Sequence, residues 1–157
     1  MSSFELVGLP FEPFAALFGL PDAQLLKLNA RRVLATANPG FPCRVSLTDA
    51  EVGEELLLLP YEHQSADSPY KSSGPIYVRK LARQRKMDPD VVPDYVRTRL
   101  MSVRAYDATH MMVEARVCEG ADSASVIRQL FDGDAVQYIH LHNAQRGCFS
   151  CAVNRVR

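Results

Sequence analysis

The chain has 157 residues, of which 47% are hydrophobic and 23% are charged. That composition is typical of a globular protein, and the length predicts a single domain over residues 1–157; disordered, collagen-like and coiled-coil chains are excluded. The 18 basic and 18 acidic residues cancel, so no nucleic-acid partner is expected. No stretch approaches the roughly 18 apolar residues of a membrane helix, so no membrane partner is expected either.

The N-terminus and the cysteines indicate the compartment. Residues 1–7 have neither a basic region nor a long apolar region of the signal-peptide type. Four cysteines in a chain of this length are too few for a disulfide scaffold, and a reducing compartment would keep them as thiols or metal ligands. We therefore expect a cytoplasmic protein.

The first half of the chain is predicted to change from helices to strands. The first thirty residues are predicted to be helical, with one short helix from Pro13 to Gly19 and another opening at Pro21. Short runs bounded by turn residues then predict four strands, at 32–36, 43–47, 55–61 and 76–78. The polar stretch 79–90 has no apolar period and predicts a long exposed loop. Its basic run lacks aromatic residues for base stacking, which favours a solvated segment over a nucleic-acid patch.

The second half is predicted to hold two hairpins and two helices. Pro93 can open a short helix, and alternation over 101–106 and 111–118 predicts a hairpin with Val103 facing the core. An apolar stripe predicts a helix from Ser123 to Gly133. Together these elements predict an α+β fold, a mainly antiparallel sheet with short flanking helices. A sheet that curls toward a barrel is an alternative that the sequence leaves undecided.

The last hairpin carries the most informative polar residues. Side chains alternate across a strand, so Ile139 and Leu141 share one face while Tyr138, His140 and His142 share the other. A loop over 143–147 would set His142 opposite Cys148 and His140 opposite Ser150. In that register the apolar face also takes Phe149, Cys151 and Val153.

This register separates the two cysteines of the Cys-x-x-Cys spacing. Cys151 would lie in the core while Cys148 joins the histidines, which disfavours a four-ligand zinc site. Three interpretations stay open: an open three-ligand metal site, a metal-free ligand site in which a histidine makes Cys148 nucleophilic, and a solvated outer face. We assign no metal and no cofactor.

Two other polar residues have alternatives of their own. Arg44 could bind a carboxylate or phosphate as a bidentate fork, although a cross-strand ion pair is the favoured interpretation. His63 either lines a cleft with the following loop or is simply the polar end of a strand.

Several segments together point to a family. They are Pro39-Gly40-Phe41-Pro42-Cys43-Arg44-Val45-Ser46-Leu47, Tyr61-Glu62-His63, Ser68-Pro69-Tyr70, Arg104-Ala105-Tyr106-Asp107-Ala108, and Tyr138-Ile139-His140-Leu141-His142-Asn143-Ala144 with Gly147-Cys148. Nearly from end to end, the chain resembles a bacterial family catalogued as domain of unknown function 1203. The resemblance implies a small single-domain bacterial protein and no particular reaction. The family often has a small residue other than cysteine at the position of Cys151, which further weakens a Cys-x-x-Cys zinc site.

The leading hypothesis is a small-molecule site on the polar face of the last hairpin. The candidate catalytic residues are Cys148, His140 and His142, and the candidate ligand-binding residues are Arg44, His63, Arg104, Tyr138 and Asn143. Whether the protein is an enzyme is left open, as is self-association. The alternatives are a non-catalytic protein-interaction domain using the same face, and a metal-binding domain.

Overall fold

The computed structural model describes residues 2–157. Its ten strands are β1 (Ser3–Val7), β2 (Arg31–Leu34), β3 (Pro42–Cys43), β4 (Thr48–Asp49), β5 (Glu55–Gln64), β6 (Ser72–Arg79), β7 (Leu100–Tyr106), β8 (Met112–Glu119), β9 (Tyr138–Asn143) and β10 (Phe149–Val156). Its helices are α1 (Glu12–Ala15), α2 (Asp22–Lys27), α3 (Asp94–Arg97) and α4 (Ser123–Phe131), with 3₁₀ turns at Ala16–Gly19 and Gly120–Asp122. The α+β prediction is confirmed.

The first sheet has the strand order β1-β10-β9-β7-β8 and is antiparallel throughout. The larger hydrophobic core, called the main core below, lies between this sheet and α4. Ile139 and Leu141 of the central strand β9 point into it, together with Val103 of β7 and Ile127 and Leu130 of α4. Strands β7 and β8 pair with each other, so the predicted hairpin is confirmed, and the burial of Val103 in this core confirms its inward direction.

The prediction of helices over the first thirty residues is wrong at its start. Residues Ser3–Val7 form a strand that pairs with β10, at the far end of the chain. Phe4 and Leu6 alternate with more exposed neighbours and are fully buried in the main core. Only five residues alternate before Pro10, and their partner is distant in sequence, so the strand has little local signal.

The second sheet has the strand order β2-β5-β6-β3-β4 and packs against the N-terminal helices. Its strands are antiparallel except for the short β3–β6 contact. The strand predicted over 43–47 ends at Cys43, because residues 44–47 form a turn in which the Leu47 N–H donates to the Cys43 carbonyl at 3.0 Å. Neither sheet closes on itself, so the barrel-like alternative is not what the chain adopts.

The two sheets meet where the end of β5 reaches β9 and β10. Gln64 of β5 donates from Nε2 to the Tyr138 hydroxyl of β9 at 3.0 Å. The His63 ring stacks on the Phe149 ring of β10, with centroids 5.6 Å apart and planes at 7°. Within residues 2–157, no helix is long and apolar enough to cross a membrane.

Candidate metal centre between the two sheets

The alternation of β9 points two histidines away from the main core. Because Ile139 and Leu141 face that core, His140 and His142 face the second sheet. Their exposed fractions are 8% and 1%. The polar face of the hairpin is therefore buried, and the solvated outer face that was one interpretation of the sequence is wrong.

A third histidine reaches the pair from the second sheet. One ring nitrogen of each of His63, His140 and His142 lies within 4.8 Å of one ring nitrogen of both others. The His63 and His142 rings meet edge to face, with centroids 4.9 Å apart. We call these three residues the histidine cluster. Within residues 2–157, no carboxylate or thiol belongs to it.

Each ring of the histidine cluster holds a buried nitrogen without a hydrogen-bond partner. These atoms are Nδ1 of His63, Nδ1 of His140 and Nε2 of His142. Buried polar atoms are nearly always paired, so three orphans in one contact group call for an explanation. A metal ion between the rings would supply it, because imidazole nitrogen is a common metal ligand.

The tautomer of His142 follows from its one hydrogen bond. Its Nδ1 lies 2.9 Å from the carbonyl oxygen of Gly147. A carbonyl only accepts, so Nδ1 carries the proton and, in the neutral ring, Nε2 keeps its lone pair. A backbone carbonyl orienting the far nitrogen in this way is the usual support of a metal-binding histidine.

The surroundings keep the cluster neutral. Burial lowers the pKa of His140 to about 4, and His63 and Arg104 push it the same way. Burial lowers the pKa of His142 to about 3, against the opposing effect of the Gly147 carbonyl. Burial and then Arg104 also lower the pKa of His63. Neutral imidazole is the form that binds metal.

Phe149 belongs to this site and not to the main core. The predicted register is wrong: His142 pairs with Phe149 and Leu141 with Cys151, and a bulge lies between them. The bulge inserts one residue, so Phe149 turns to the histidine side while Cys151 stays in the core. The Phe149 ring contacts all three histidine rings, with centroids 5.3 to 5.8 Å away.

Arg104 and Tyr138 border the cluster. Arg104 pairs with His140 across β7 and β9, and its Nε donates to Ser102 at 3.1 Å. It has no carboxylate within ion-pair distance among residues 2–157. Tyr138 stacks on Tyr106 at 5.1 Å and lies 5.3 Å from the His140 ring. A free cation and an aromatic wall therefore flank the three histidines.

The other three predicted site residues lie together elsewhere. Cys148, Arg44 and Asn143 line a separate cavity that no histidine lines. Cys148 is half-buried just before β10 and is not part of the histidine cluster. The structure therefore divides the predicted site in two, with His63, His140, His142, Arg104 and Tyr138 on one side.

The contacts of Arg44 also differ from the ion pair that was the favoured interpretation of the sequence. Arg44 makes no ion pair with any of residues 2–157. Its Nε donates to the Phe149 carbonyl at 2.8 Å and its Nη1 to the Pro42 carbonyl at 2.6 Å. The ion-pair prediction is wrong because the strand ends at Cys43, so Arg44 has no cross-strand neighbour.

Two residues at the site were not predicted from the sequence. Phe149 was placed in the core by the strand phase, and only the bulge turns it over. Gln64, 4% exposed, holds Tyr138; its position directly after His63 is the one signal in the sequence. The fourth histidine, His110, lies outside the cluster, and its Nδ1 is 2.8 Å from the Tyr138 hydroxyl oxygen.

Fold and site together define an α+β protein of two open sheets with a buried histidine cluster where they meet. The family model described as "Protein of unknown function (DUF1203)" matches residues 40–155. The chain belongs to that family, as its motifs predicted. No curated protein and no solved structure matches the chain.

Proposed function

We propose that this protein binds one transition-metal ion through His63, His140 and His142 and keeps a coordination position open for a small anionic molecule. The observation that carries the proposal is the approach of three ring nitrogens to within 4.8 Å, in rings that each hold an orphaned buried nitrogen. Three of the four histidines of the chain meet here, from two different sheets.

The dimensions suit a metal after a small adjustment. Zinc–nitrogen bonds of about 2.0–2.1 Å place tetrahedral ligands roughly 3.4 Å apart. The nitrogens now lie within 4.8 Å of one another, and rotation of the imidazoles about their broad outer torsion is the adjustment that would bring them closer. Three nitrogen ligands favour zinc, copper, nickel or iron over calcium or magnesium, which prefer oxygen.

The ligand set leaves the metal positively charged. Imidazoles are neutral, and no carboxylate or thiolate of residues 2–157 joins them, so a divalent ion keeps its full charge. Sites with three protein ligands hold water or substrate in the fourth position. Arg104 adds a second cation beside the histidines, which favours an anion there. This keeps Arg104 and Tyr138 as ligand-binding residues and makes His140 and His142 metal ligands.

The test is a titration of the metal-free protein with Co²⁺, followed by visible absorption, and with Zn²⁺ in a calorimeter. We expect one site per chain. His63→Ala, His140→Ala and His142→Ala should each weaken binding at least about tenfold. His110→Ala is the matched control, because this fourth histidine lies outside the cluster. No binding by the folded wild type, or an equal loss in His110→Ala, would contradict the proposal.

We also infer a bacterial protein of a reducing compartment, the cytoplasm. The resemblance to a bacterial family supports the source, and for the compartment the support is that all four cysteines are free, two of them buried. A thiol titration of freshly purified, denatured protein should find four thiols per chain, and a disulfide would count against the cytoplasm.

A further inference from the structure

A cavity of about 600 Å³ lies beside the turn between β9 and β10. That volume is within the usual range for small-molecule sites. None of the three cluster histidines lines it. Its wall includes the polar residues Arg44, Arg99, Asn143, Gln145, Arg146 and Cys148.

The strongest feature of the cavity is a buried arginine without a counter-charge. Arg44 is 3% exposed, and no carboxylate of residues 2–157 lies within ion-pair distance of it. Two backbone carbonyls accept from Nε and Nη1, but Nη2 makes no hydrogen bond to those residues. A buried charge is costly unless it is paired, and a guanidinium with free N–H groups matches a carboxylate or phosphate.

The other cations decide the net charge of the cavity. Arg146 is exposed and makes no ion pair within residues 2–157. Arg99, by contrast, is neutralised by Asp49, with Nη2 to Oδ1 at 2.6 Å and Nη1 to Oδ2 at 3.0 Å. Two uncompensated positive charges, from Arg44 and Arg146, therefore border the cavity.

Much of the remaining wall is apolar. It includes Phe41, Leu58, Pro75 and Tyr77. Phe41 and Tyr77 contact each other with ring centroids 5.3 Å apart. A ligand that satisfies both parts of the wall has an anionic head and an apolar body.

We propose that this cavity binds a small organic anion whose carboxylate or phosphate head is held by Arg44 and whose apolar body packs on Phe41 and Tyr77. Arg146 attracts the anion at the surface. The site is separate from the histidine cluster and does not depend on the proposed metal, so it is tested with metal-free protein.

Cys148 serves as the reporter, because it lines the same cavity and is half-buried. Iodoacetamide alkylates it when the thiolate sulfur bonds to the methylene carbon and iodide leaves. The probes are benzoate and phenyl phosphate, and benzyl alcohol is the neutral control. Mass spectrometry reads the alkylation rate of Cys148 against that of Cys118, which is also half-buried but does not line the cavity.

We expect benzoate, phenyl phosphate or both to slow alkylation of Cys148 severalfold without affecting Cys118. Whichever protects at lower concentration identifies the head group, carboxylate or phosphate. Arg44→Met should raise the protecting concentration about 10- to 100-fold, the loss expected for a hydrogen bond to a charged group. Protection by benzyl alcohol equal to that by the anions, or no protection by either anion, would overturn the proposal.

Two more variants keep the test decisive if Arg44→Met does not fold. Arg146→Gln changes an exposed side chain and should weaken protection, because it removes the outer cation. Arg83→Gln is the matched control, since Arg83 is also exposed and does not line the cavity. Equal protection in Arg146→Gln and wild type, with Arg44→Met either equal or unfolded, would refute the role of the cations.

Discussion

The His63 ring stands edge-on to the His142 ring, with centroids 4.9 Å apart and planes at 83°. His63 comes from the end of β5 in the second sheet, and His142 from the central strand of the first. The contact therefore joins the two sheets of the fold, and an ion bound between the rings would do the same.

Zinc should stabilise the folded protein, since its three ligands come together only when both sheets are in place. A ligand at 100 times its dissociation constant adds about 2.7 kcal/mol to the free energy of unfolding. For this length, that corresponds to a rise in Tm of about 5 to 10 °C. Calorimetric melts with Zn²⁺ and then with excess EDTA check the rise and its reversal. At the same zinc concentration His63→Ala, with at least about tenfold weaker binding, should show about half the rise or less, and an equal rise in this variant would mean that zinc binds elsewhere.

Arg104→Met should strengthen metal binding and weaken anion binding. The side chain carries a positive charge beside all three histidines, so removing it takes away a repulsion and should tighten Co²⁺ binding on the order of tenfold. Azide added to the Co²⁺ protein tests the open position, and we expect it to bind more weakly in the variant. Arg116→Met, on the neighbouring strand β8, is the control. Unchanged azide affinity in Arg104→Met would remove the anion-binding role.

Phe149→Leu should reduce metal affinity as well as stability, because the ring packs against all three histidines. We expect a loss of about 1–2 kcal/mol in the free energy of unfolding, smaller than for truncation to alanine. Phe14→Leu is the matched control: Phe14 is 5% exposed and lies in the core of the second sheet. Urea melts should show similar losses for both variants, whereas the Co²⁺ titration should weaken only for Phe149→Leu. Equal Co²⁺ binding in both would show that Phe149 does not support the cluster.

The buried Tyr95 should make the free energy of unfolding fall at alkaline pH. Burial raises its pKa to about 12, although Arg44 acts in the opposite direction, and its hydroxyl donates to the Ser150 carbonyl in the bulge at 3.0 Å. The folded pKa lies above the unfolded one, so this stability is complete below about pH 10 and is lost as the pH rises toward 12. Wild type should lose on the order of 2–3 kcal/mol more than Tyr95→Phe over that range. Parallel urea melts from pH 9 upward give the difference, and a constant difference would contradict the assignment.

The elements could be predicted from the sequence where their signals are local. Alternation placed β7, β8 and β9, and apolar spacing placed α4. The strand Ser3–Val7 could not be found, because it is defined by its pairing with β10 at the other end of the chain. Strand order and the meeting of the two sheets depend on such distant contacts.

The histidine cluster could be predicted only in part. Strand phase put His140 and His142 on one face, but nothing local brings His63 to them. The bulge between Phe149 and Cys151 changed the outcome most, since one extra residue put Phe149 among the histidines. From the sequence, Cys148 and Arg44 were grouped with the histidines because their side chains suit the same kind of chemistry, but a sequence does not give the distances between them. In the structure both residues line another cavity.

X-ray absorption at the zinc edge, on protein loaded with one equivalent of Zn²⁺, identifies the atoms that bind the metal. We expect three imidazole nitrogens and one further light atom at about 2.0–2.1 Å, with no sulfur. His110→Ala should give the same spectrum, because His110 lies outside the cluster. A sulfur shell at about 2.3 Å, or a spectrum of fully hydrated zinc, would contradict a metal centre formed by His63, His140 and His142.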